Sequence, residues 1–388
     1  MTPWLKRLLI IAAALAPLAV FGCRFNVRDV GFVDLGSEPY RLYLFVGNAM
    51  PSAERESLQS ISTATFYDSN VKPQLQPLGQ ARQGEAKAFI PDGFDGAEPA
   101  AVLVSPDKRT TLRLPLAKPG ESVLQTAWDA LEPVLDSPRR NAILEQVFER
   151  YGVVLIVEGR DAAANKRVRS MADAAVMATA AKLPGLEKEI QKPPVVSVIS
   201  PGEFDGEQAF LWSLGIEEVT DAPRVVILYG RGRMIGPVLH GDRLNRESIS
   251  AILDTIGLNC ECGLDRKWMQ GAMVPLKWDR DRKQQMATQL GFNPESPEIR
   301  IEMSQILAKG GPGQGVHRSK IIGDTLDELL TGHASGRLAP KPPPLGQAEE
   351  QAGETTSGIS ASIWAGLVAV AILVAGGLIF LTARSRNS

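Results

Sequence analysis

The feature that most restricts the fold of this chain is an uncharged run near its C-terminus, residues 359–383. Its apolar centre, residues 363–381, approaches the roughly 20 residues that an α-helix needs to cross the hydrocarbon of a bilayer. Three glutamates precede the run and two arginines follow it. Because basic residues favour the cytoplasmic side, we expect one transmembrane helix at 359–383, a cytoplasmic tail at 384–388, and an extracytoplasmic, periplasmic location for everything before them.

The N-terminus has the organisation of an export signal. Two basic residues precede an uncharged run at 8–21, whose length is typical of the apolar core of a signal peptide. The stretch Val20-Phe21-Gly22-Cys23 is similar to a bacterial lipobox, in which a small residue precedes the cysteine that receives lipid. We therefore expect residues 1–22 to be a signal peptide. Two states remain open for Cys23: a lipidated mature N-terminus, or an unmodified cysteine beside a cleaved or retained signal.

Charge and composition exclude several classes of partner. The chain has 42 basic and 44 acidic side chains and a formal net charge of -2, so no overall field draws it to a nucleic acid. Its three cysteines and three histidines are too few for a disulfide scaffold and poor material for a zinc site. We therefore expect packed apolar cores and neither a cofactor nor a metal.

A stretch rich in Gly, Pro, Gln and Glu, residues 310–358, separates the body from the membrane run. Such a composition buries too little apolar surface to offset chain entropy, so we expect a flexible stalk. Within it, Ile321–Leu330 has the spacing of a short helix with one apolar face. Two docking places are open for that helix: the body and a partner.

Residues 153–256 contain the clearest order of predicted elements. Apolar runs, helical periodicity and turn residues predict a strand at 153–157, a helix at 164–190, a strand at 195–199, a short helix at 208–214, a hairpin of strands at 224–229 and 234–239, and a helix at 245–256. Residues 40–135 repeat this order, with strands at 40–46, 72–78, 98–104 and 110–116 and helices at 53–67 and 122–135. The repetition indicates two copies of one unit.

This order resembles the thioredoxin fold. In thioredoxins a cis-proline precedes the strand that enters the hairpin, and a glycine separates the hairpin from the last helix. Pro223 and Gly241 stand at those two places, and Pro99 is the corresponding proline of the first unit. The resemblance therefore implies an α/β protein with tandem thioredoxin-like domains and cis bonds before Pro99 and Pro223.

We place the first domain at 24–138 and the second at 139–257, with a helix at 139–151 joining them. Residues 258–309 follow as a helical extension that begins with two cysteines. The segment Arg24–Leu35 alternates apolar with other residues, a pattern that favours a strand added to the first domain.

The redox chemistry of the thioredoxin family needs a Cys-x-x-Cys between the first strand and the first helix, where the helix N-terminus lowers the thiol pKa. The corresponding loops here, Gly47–Ser52 and Glu158–Ala164, contain no cysteine. The resemblance then implies binding platforms, like the non-catalytic domains of protein disulfide isomerases. We expect no catalytic residue in either loop, and a partner that is another envelope or membrane protein.

The remaining chemical candidate is the pair Cys260 and Cys262, in Asn259-Cys260-Glu261-Cys262-Gly263. Two thiols one residue apart are suited to a strained disulfide, to thiol exchange, or to a soft metal with a third ligand. A buried structural pair is the alternative. Two functions thus remain open: a non-enzymatic, membrane-anchored adaptor, and a thiol-disulfide or soft-metal handling protein that acts through Cys260 and Cys262.

Overall fold

The computed structural model describes residues 24–186, 188, 190, 192–257 and 267–308. The first elements in chain order are α1 (Val27–Phe32), β1 (Tyr40–Val46), α2 (Ser52–Thr65), β2 (Val71–Pro77), α3 (Leu78–Ala81), β3 (Ala100–Val104), β4 (Thr111–Pro115) and α4 (Val123–Leu131). The strands form one sheet in the order β2-β1-β3-β4. Strands β1 and β2 are parallel, whereas β1–β3 and β3–β4 are antiparallel.

A second sheet of the same design follows. Its elements are α5 (Pro138–Glu149), β5 (Val153–Val157), α6 (Ala162–Ala180), β6 (Val195–Ile199), α7 (Gln208–Ser213), β7 (Arg224–Tyr229), β8 (Arg233–Leu239) and α8 (Arg246–Ile256). The strand order is β6-β5-β7-β8, with β5 and β6 parallel and the other pairs antiparallel. Helices α9 (Arg280–Leu290) and α10 (Pro297–Ala308) come last.

Both sheets have the strand order and directions of the thioredoxin-like fold, so the predicted duplication is confirmed. The central strand β5 is buried along its whole length, as its unbroken Val-Val-Leu-Ile-Val sequence predicts for a strand covered on both faces. Helix α8 begins after Asn245, whose side chain accepts from the Ser248 N–H, as a helix cap does. Helix α6 ends at Ala180, earlier than predicted, because Pro184 and Gly185 follow in a short 3₁₀ turn.

The expectation that Arg24–Leu35 adds a strand to the first domain is wrong. This segment forms helix α1, because Asn26 and Asp29 make a reciprocal capping box three residues apart. The helix is buried against the second sheet, where Val30 lies in the same apolar cluster as Val154 and Ile227. The segment that precedes the first sheet therefore contributes to the core of the second.

Residues 267–278 connect the two sheets. Beside β8, Met234 N–H donates to the Ala272 carbonyl at 2.9 Å, and Val274 N–H donates to the Gly232 carbonyl at 3.0 Å. A few residues later, Trp278 N–H donates to the Asp68 carbonyl at 2.7 Å, immediately before β2. The extension therefore holds an edge of the second sheet to the first domain.

Several predictions concern residues that lie outside the described part of the chain. They are the signal peptide at 1–22, Cys23, the pair Cys260 and Cys262, the stalk at 310–358, the transmembrane helix at 359–383 and the tail at 384–388. Among the described residues, no helix combines the length and apolar character required to cross a membrane. The domain boundaries at 138 and 257 also stay predictions.

Candidate functional site

The candidate site is a groove of about 520 Å³ on the second domain, open to solvent. The first half of α6, the start of β7 and the turn before α8 converge on it, and its lining residues are Ala164, Arg167, Val168, Ser170, Met171, Ala222, Pro223, Gly241 and Leu244. The side chain of Val168 is 5% exposed and belongs to the apolar cluster beneath the groove. The groove is therefore an apolar surface built on a packed core.

Asp161 is the N-cap residue of α6, the helix that follows the central strand β5. Its carboxylate accepts from Ala163 N–H at 2.8 Å and from Ala164 N–H at 3.1 Å. A carboxylate there satisfies free amides and interacts favourably with the positive end of the helix dipole. The helix N-terminus that activates a thiolate in redox enzymes is thus occupied by an acid that performs no thiol chemistry.

The loop before α6 is fixed to the loop before Pro223. Arg160 N–H donates to the Thr220 carbonyl and Asp161 N–H to the Asp221 carbonyl, both at 3.0 Å. The Asn165 side chain also binds both backbone groups of Gly159, at 2.9 Å and 2.8 Å. These bonds define the groove wall before any ligand binds, which reduces the entropy cost of binding.

Gly159 is required by this close approach. A Cβ added there would lie 2.1 Å from the Asp221 carbonyl oxygen, well inside contact distance. The first domain has a counterpart, because a Cβ on Gly47 would lie 2.0 Å from the Gly96 carbonyl oxygen. Each glycine follows the central strand of its sheet, so both domains use one device to bring the two loops together.

Exposed charges of both signs, including Asp221 and Asp242, lie beside the groove. Arg167 lines the groove, and Arg243 is adjacent to the lining residue Leu244; both are exposed. Neither forms an ion pair with any other residue in the described ranges, whereas the nearby Arg169 pairs with Glu158 at 2.9 Å. The groove therefore presents an apolar floor with one lining cation, Arg167, that has no ion pair among the described residues.

The predicted site residues have different outcomes. Pro223 lines the groove, but every peptide bond in the described ranges is trans, so the expected cis bonds before Pro99 and Pro223 are wrong. The bonds before both prolines have the trans form, which an X–Pro bond ordinarily prefers by about 0.5–1 kcal/mol. The three cysteines, Cys23, Cys260 and Cys262, lie outside the residues that the structure describes. No group of three metal-binding side chains occurs among the described residues.

Sequence reasoning missed Asp161, Asn165 and Met171. Asp161 was open to detection, because an aspartate immediately before a helical stretch is an N-cap signal. Asn165 had no such signal, because an asparagine inside a helical stretch does not by itself indicate a bond back to Gly159. Met171 had none either, because it lines the groove only beside loops that come from elsewhere in the chain.

Comparison with known proteins gives matches only among solved structures. No family model and no curated protein matches the chain. The zinc-bound form of human ERp44 aligns at 11% identity over 57% of this chain and 56% of that one, with a TM-score of 0.20. This chain thus spans about half the length of the human protein.

Two further alignments are with the first two thioredoxin domains of Eps1p. The Naumovozyma dairenensis structure has 11% identity, coverage of 58% of this chain and 92% of that one, and a TM-score of 0.18. The Saccharomyces cerevisiae structure has 9% identity, coverage of 50% and 82%, and a TM-score of 0.17. These TM-scores carry no argument about function. The strand order of the two sheets alone assigns the fold: two thioredoxin-like domains in tandem.

Proposed function

We propose that this chain is a membrane-anchored extracytoplasmic adaptor that binds a segment of another envelope protein in the groove beside Pro223. The single observation that carries the proposal is the combination of Asp161 at the start of α6 with an apolar groove next to it. The helix N-terminus carries no thiol, while the adjacent surface keeps the form of a binding site. A site of this kind supports recognition without thiol exchange.

The apolar floor determines what the groove binds best. Burying one large apolar side chain contributes about 1.5–3 kcal/mol, so two such side chains at Met171 and Leu244 supply about 3–6 kcal/mol towards offsetting the cost of association. The lining residue Arg167, which has no ion pair among the described residues, favours a segment with an acidic residue beside its apolar ones. Anchoring through residues 359–383 places the groove and an envelope partner in the same compartment and raises their effective concentration.

Two variants on one helix test the role of the groove. Met171 lines the groove, whereas Met177 is on the same helix, outside the groove, and 73% exposed. The full chain carrying Met171→Glu or Met177→Glu is expressed in membranes, crosslinked, solubilised and captured. We expect Met171→Glu to reduce the crosslinked partner at least tenfold and Met177→Glu to retain it. Equal recovery with the two variants contradicts the proposal.

Anchoring and the cysteine pair need separate tests. Deletion of residues 359–388 is expected to release the chain from membranes washed with carbonate, and proteolysis of intact spheroplasts is expected to remove the body. The variant Cys260→Ser/Cys262→Ser is expected to capture the same partner as the unaltered chain. Loss of the partner in that variant favours the thiol or soft-metal function instead.

A further inference from the structure

Strand β6 is an uncovered edge of the second sheet. At the opposite edge, the extension lies beside β8, where Arg233 and Met273 form an antiparallel bridge. The described ranges supply no strand on the outer side of β6. We propose that this edge binds a neutral, extended segment of another polypeptide, with β-branched side chains at every second position, as an added strand. The proposal goes beyond the function above, because it concerns a surface other than the groove beside Pro223.

The hydrogen bonds that join β6 to β5 occupy every second residue of β6. Val195 N–H donates to the Gly152 carbonyl at 3.2 Å, immediately before β5. At the other end, Glu158 N–H donates to the Ile199 carbonyl at 2.9 Å. Backbone groups point to alternate sides along a strand, so the odd-numbered residues of β6 face β5.

Val196 and Val198 therefore direct their N–H and C=O groups away from the sheet. The Val198 carbonyl accepts from the Arg139 guanidinium. The Val196 N–H, the Val196 carbonyl and the Val198 N–H have no hydrogen-bond partner among the described residues. Two donors and one acceptor at this spacing are the groups that an adjoining strand binds, whichever its direction. The edge therefore selects a ligand with an extended backbone.

The first domain lacks such an open edge. Its equivalent strand β2 pairs with β1 in the same parallel arrangement, and Tyr40 N–H donates to the Asn70 carbonyl at 2.9 Å. The same alternation directs Pro73 and Pro77 away from that sheet, and proline has no N–H to offer a further strand. Proline on an edge strand protects it against pairing with another chain. Strand β6 contains no proline, so the two domains differ at the place where a strand is added.

The edge lies in a concavity of about 450 Å³, the edge groove, rather than on a flat surface. Ala142 and Gln146 of α5 line the edge groove on one face of the sheet, and Arg169 of α6 lines it on the other. Residues 195–198 are accordingly half-buried, although no strand of the described ranges lies beside them. The flanking helices of two copies come into contact before two recessed edges meet. The edge groove therefore suits a single extended segment better than a second copy.

The side chains around the edge define those of the ligand. Side chains of neighbouring strands point to the same face, so ligand residues opposite Val196 and Val198 lie with them on the α6 face. β-Branched side chains pack well on such a half-buried, pleated surface. On the α5 face, Ser197 Oγ donates to Gln146 Oε1 at 2.6 Å, which favours polar residues at the alternate positions of the ligand.

The charges that line the edge groove are balanced. Arg139 pairs with Glu203 at 3.0 Å, and Arg169 pairs with Glu158 at 2.9 Å. Each lining cation thus has its counter-ion within the edge groove. A charged ligand would lose hydration without gaining a partner, so a neutral segment is favoured.

A proline at position 196 tests the edge, because the Val196 N–H makes no bond within the sheet. Random ten-residue peptides on phage are selected on the full chain in detergent, and those that also bind Val196→Pro are removed. We expect the enriched peptides to have β-branched residues at every second position and, once synthesised, to bind Val196→Pro at least tenfold more weakly than the unaltered chain. Val196→Thr keeps both the N–H and the β-branched shape, so it should bind them like the unaltered chain. Failure to enrich any peptide, or an equal loss in both variants, overturns the proposal.

Methylation of the peptide gives a test that does not depend on the folding of a variant. Each backbone N–H of an enriched peptide is replaced in turn by N-methyl, and binding to the unaltered chain is measured by fluorescence anisotropy. A strand added to β6 turns every second N–H towards the edge, so methylation should weaken binding at least tenfold at alternate positions and little between them. Similar losses at adjacent positions overturn the proposal. A dimer of the unaltered chain that Val196→Pro dissociates also overturns it, because a second copy then occupies the edge.

Discussion

The carboxylate of Glu207 fastens the start of helix α5 to the turn before α7, and its removal is the most informative perturbation of the fold. Only 3% of Glu207 is exposed. Its oxygens accept from Ser137 Oγ at 2.5 Å, from Arg139 N–H at 3.0 Å and from Arg140 N–H at 3.2 Å. Ser137 occupies the N-cap of α5 but makes no cap bond of its own, so Glu207 supplies the cap from another element.

Arg140 increases the importance of this carboxylate. Its guanidinium is fully buried, donates to the Val134 carbonyl at 2.8 Å, and has two nitrogens without a hydrogen-bond partner. Burial lowers the pKa of Arg140 to about 10, while the charge of Glu207 opposes this shift. Glu207 thus compensates a buried cation as well as two amides.

We expect Glu207→Ala to lower the free energy of unfolding by about 3–5 kcal/mol. Each buried donor that loses its acceptor costs about 1–3 kcal/mol, and the buried charge of Arg140 adds to that cost. Glu207→Gln, which keeps one acceptor oxygen, should cost about 1–2 kcal/mol. The change is measured by urea unfolding of the full chain in detergent, followed by the fluorescence of the buried residues Trp212 and Trp278.

Two comparisons make the test decisive. Glu203→Ala removes a carboxylate that is 38% exposed in its pair with Arg139, and it should cost about 1 kcal/mol or less. Arg140→Met in the Glu207→Ala background should recover part of the loss, because it removes the uncompensated cation. A loss below about 1 kcal/mol for Glu207→Ala, or one no larger than that of Glu203→Ala, refutes the reasoning.

Three further predictions concern backbone approach, a helix cap and pH. Gly159→Ala should lower the melting temperature by several degrees, because the added Cβ meets the Asp221 carbonyl. The control Gly185→Ala has open space around its Cβ and should change the melting temperature little. Similar shifts for both variants contradict this explanation. Asp161→Ala should lose about 1 kcal/mol of unfolding free energy in urea, whereas Asp161→Asn should retain most of it. Partial burial raises the pKa of Asp34, because it disfavours the charged carboxylate. Hydrogen bonds from Ser37 and the positive charge of Arg233 have a larger opposite effect, so the pKa of Asp34 lies below its usual value. The ionised Asp34 therefore stabilises the fold above the pKa of the unfolded state, and this stabilisation is lost as the pH falls below about 4 and through the folded pKa. In a curve of unfolding free energy against pH, measured by urea unfolding, Asp34→Asn should flatten that part.

Local sequence was enough to predict the repeated order of strands and helices. Strand β5 is a continuous apolar run because both faces of its sheet are covered, and periodicity detects such runs without knowledge of any partner. Asn245 predicted the start of α8 from local sequence as well, because an N-cap bond joins residues only three apart. The absence of cysteine from the loops before α2 and α6 could also be read directly from the sequence, because it depends on residue identity alone.

Tertiary structure alone decided where these elements pack and what the groove contains. The alternating residues of 24–35 suit a strand as well as a helix, and the local capping box of Asn26 and Asp29 favours the helix. Only the tertiary structure shows that this helix packs in the apolar cluster of the second sheet. The groove brings Pro223 and Leu244 next to lining residues of α6 that come roughly 50 to 80 positions earlier in the chain. Their proximity depends on how α6 and α8 pack on one face of the sheet. Periodicity reports which side of an element is apolar, but it does not report which apolar surface covers that side, since burial of apolar area is not directional.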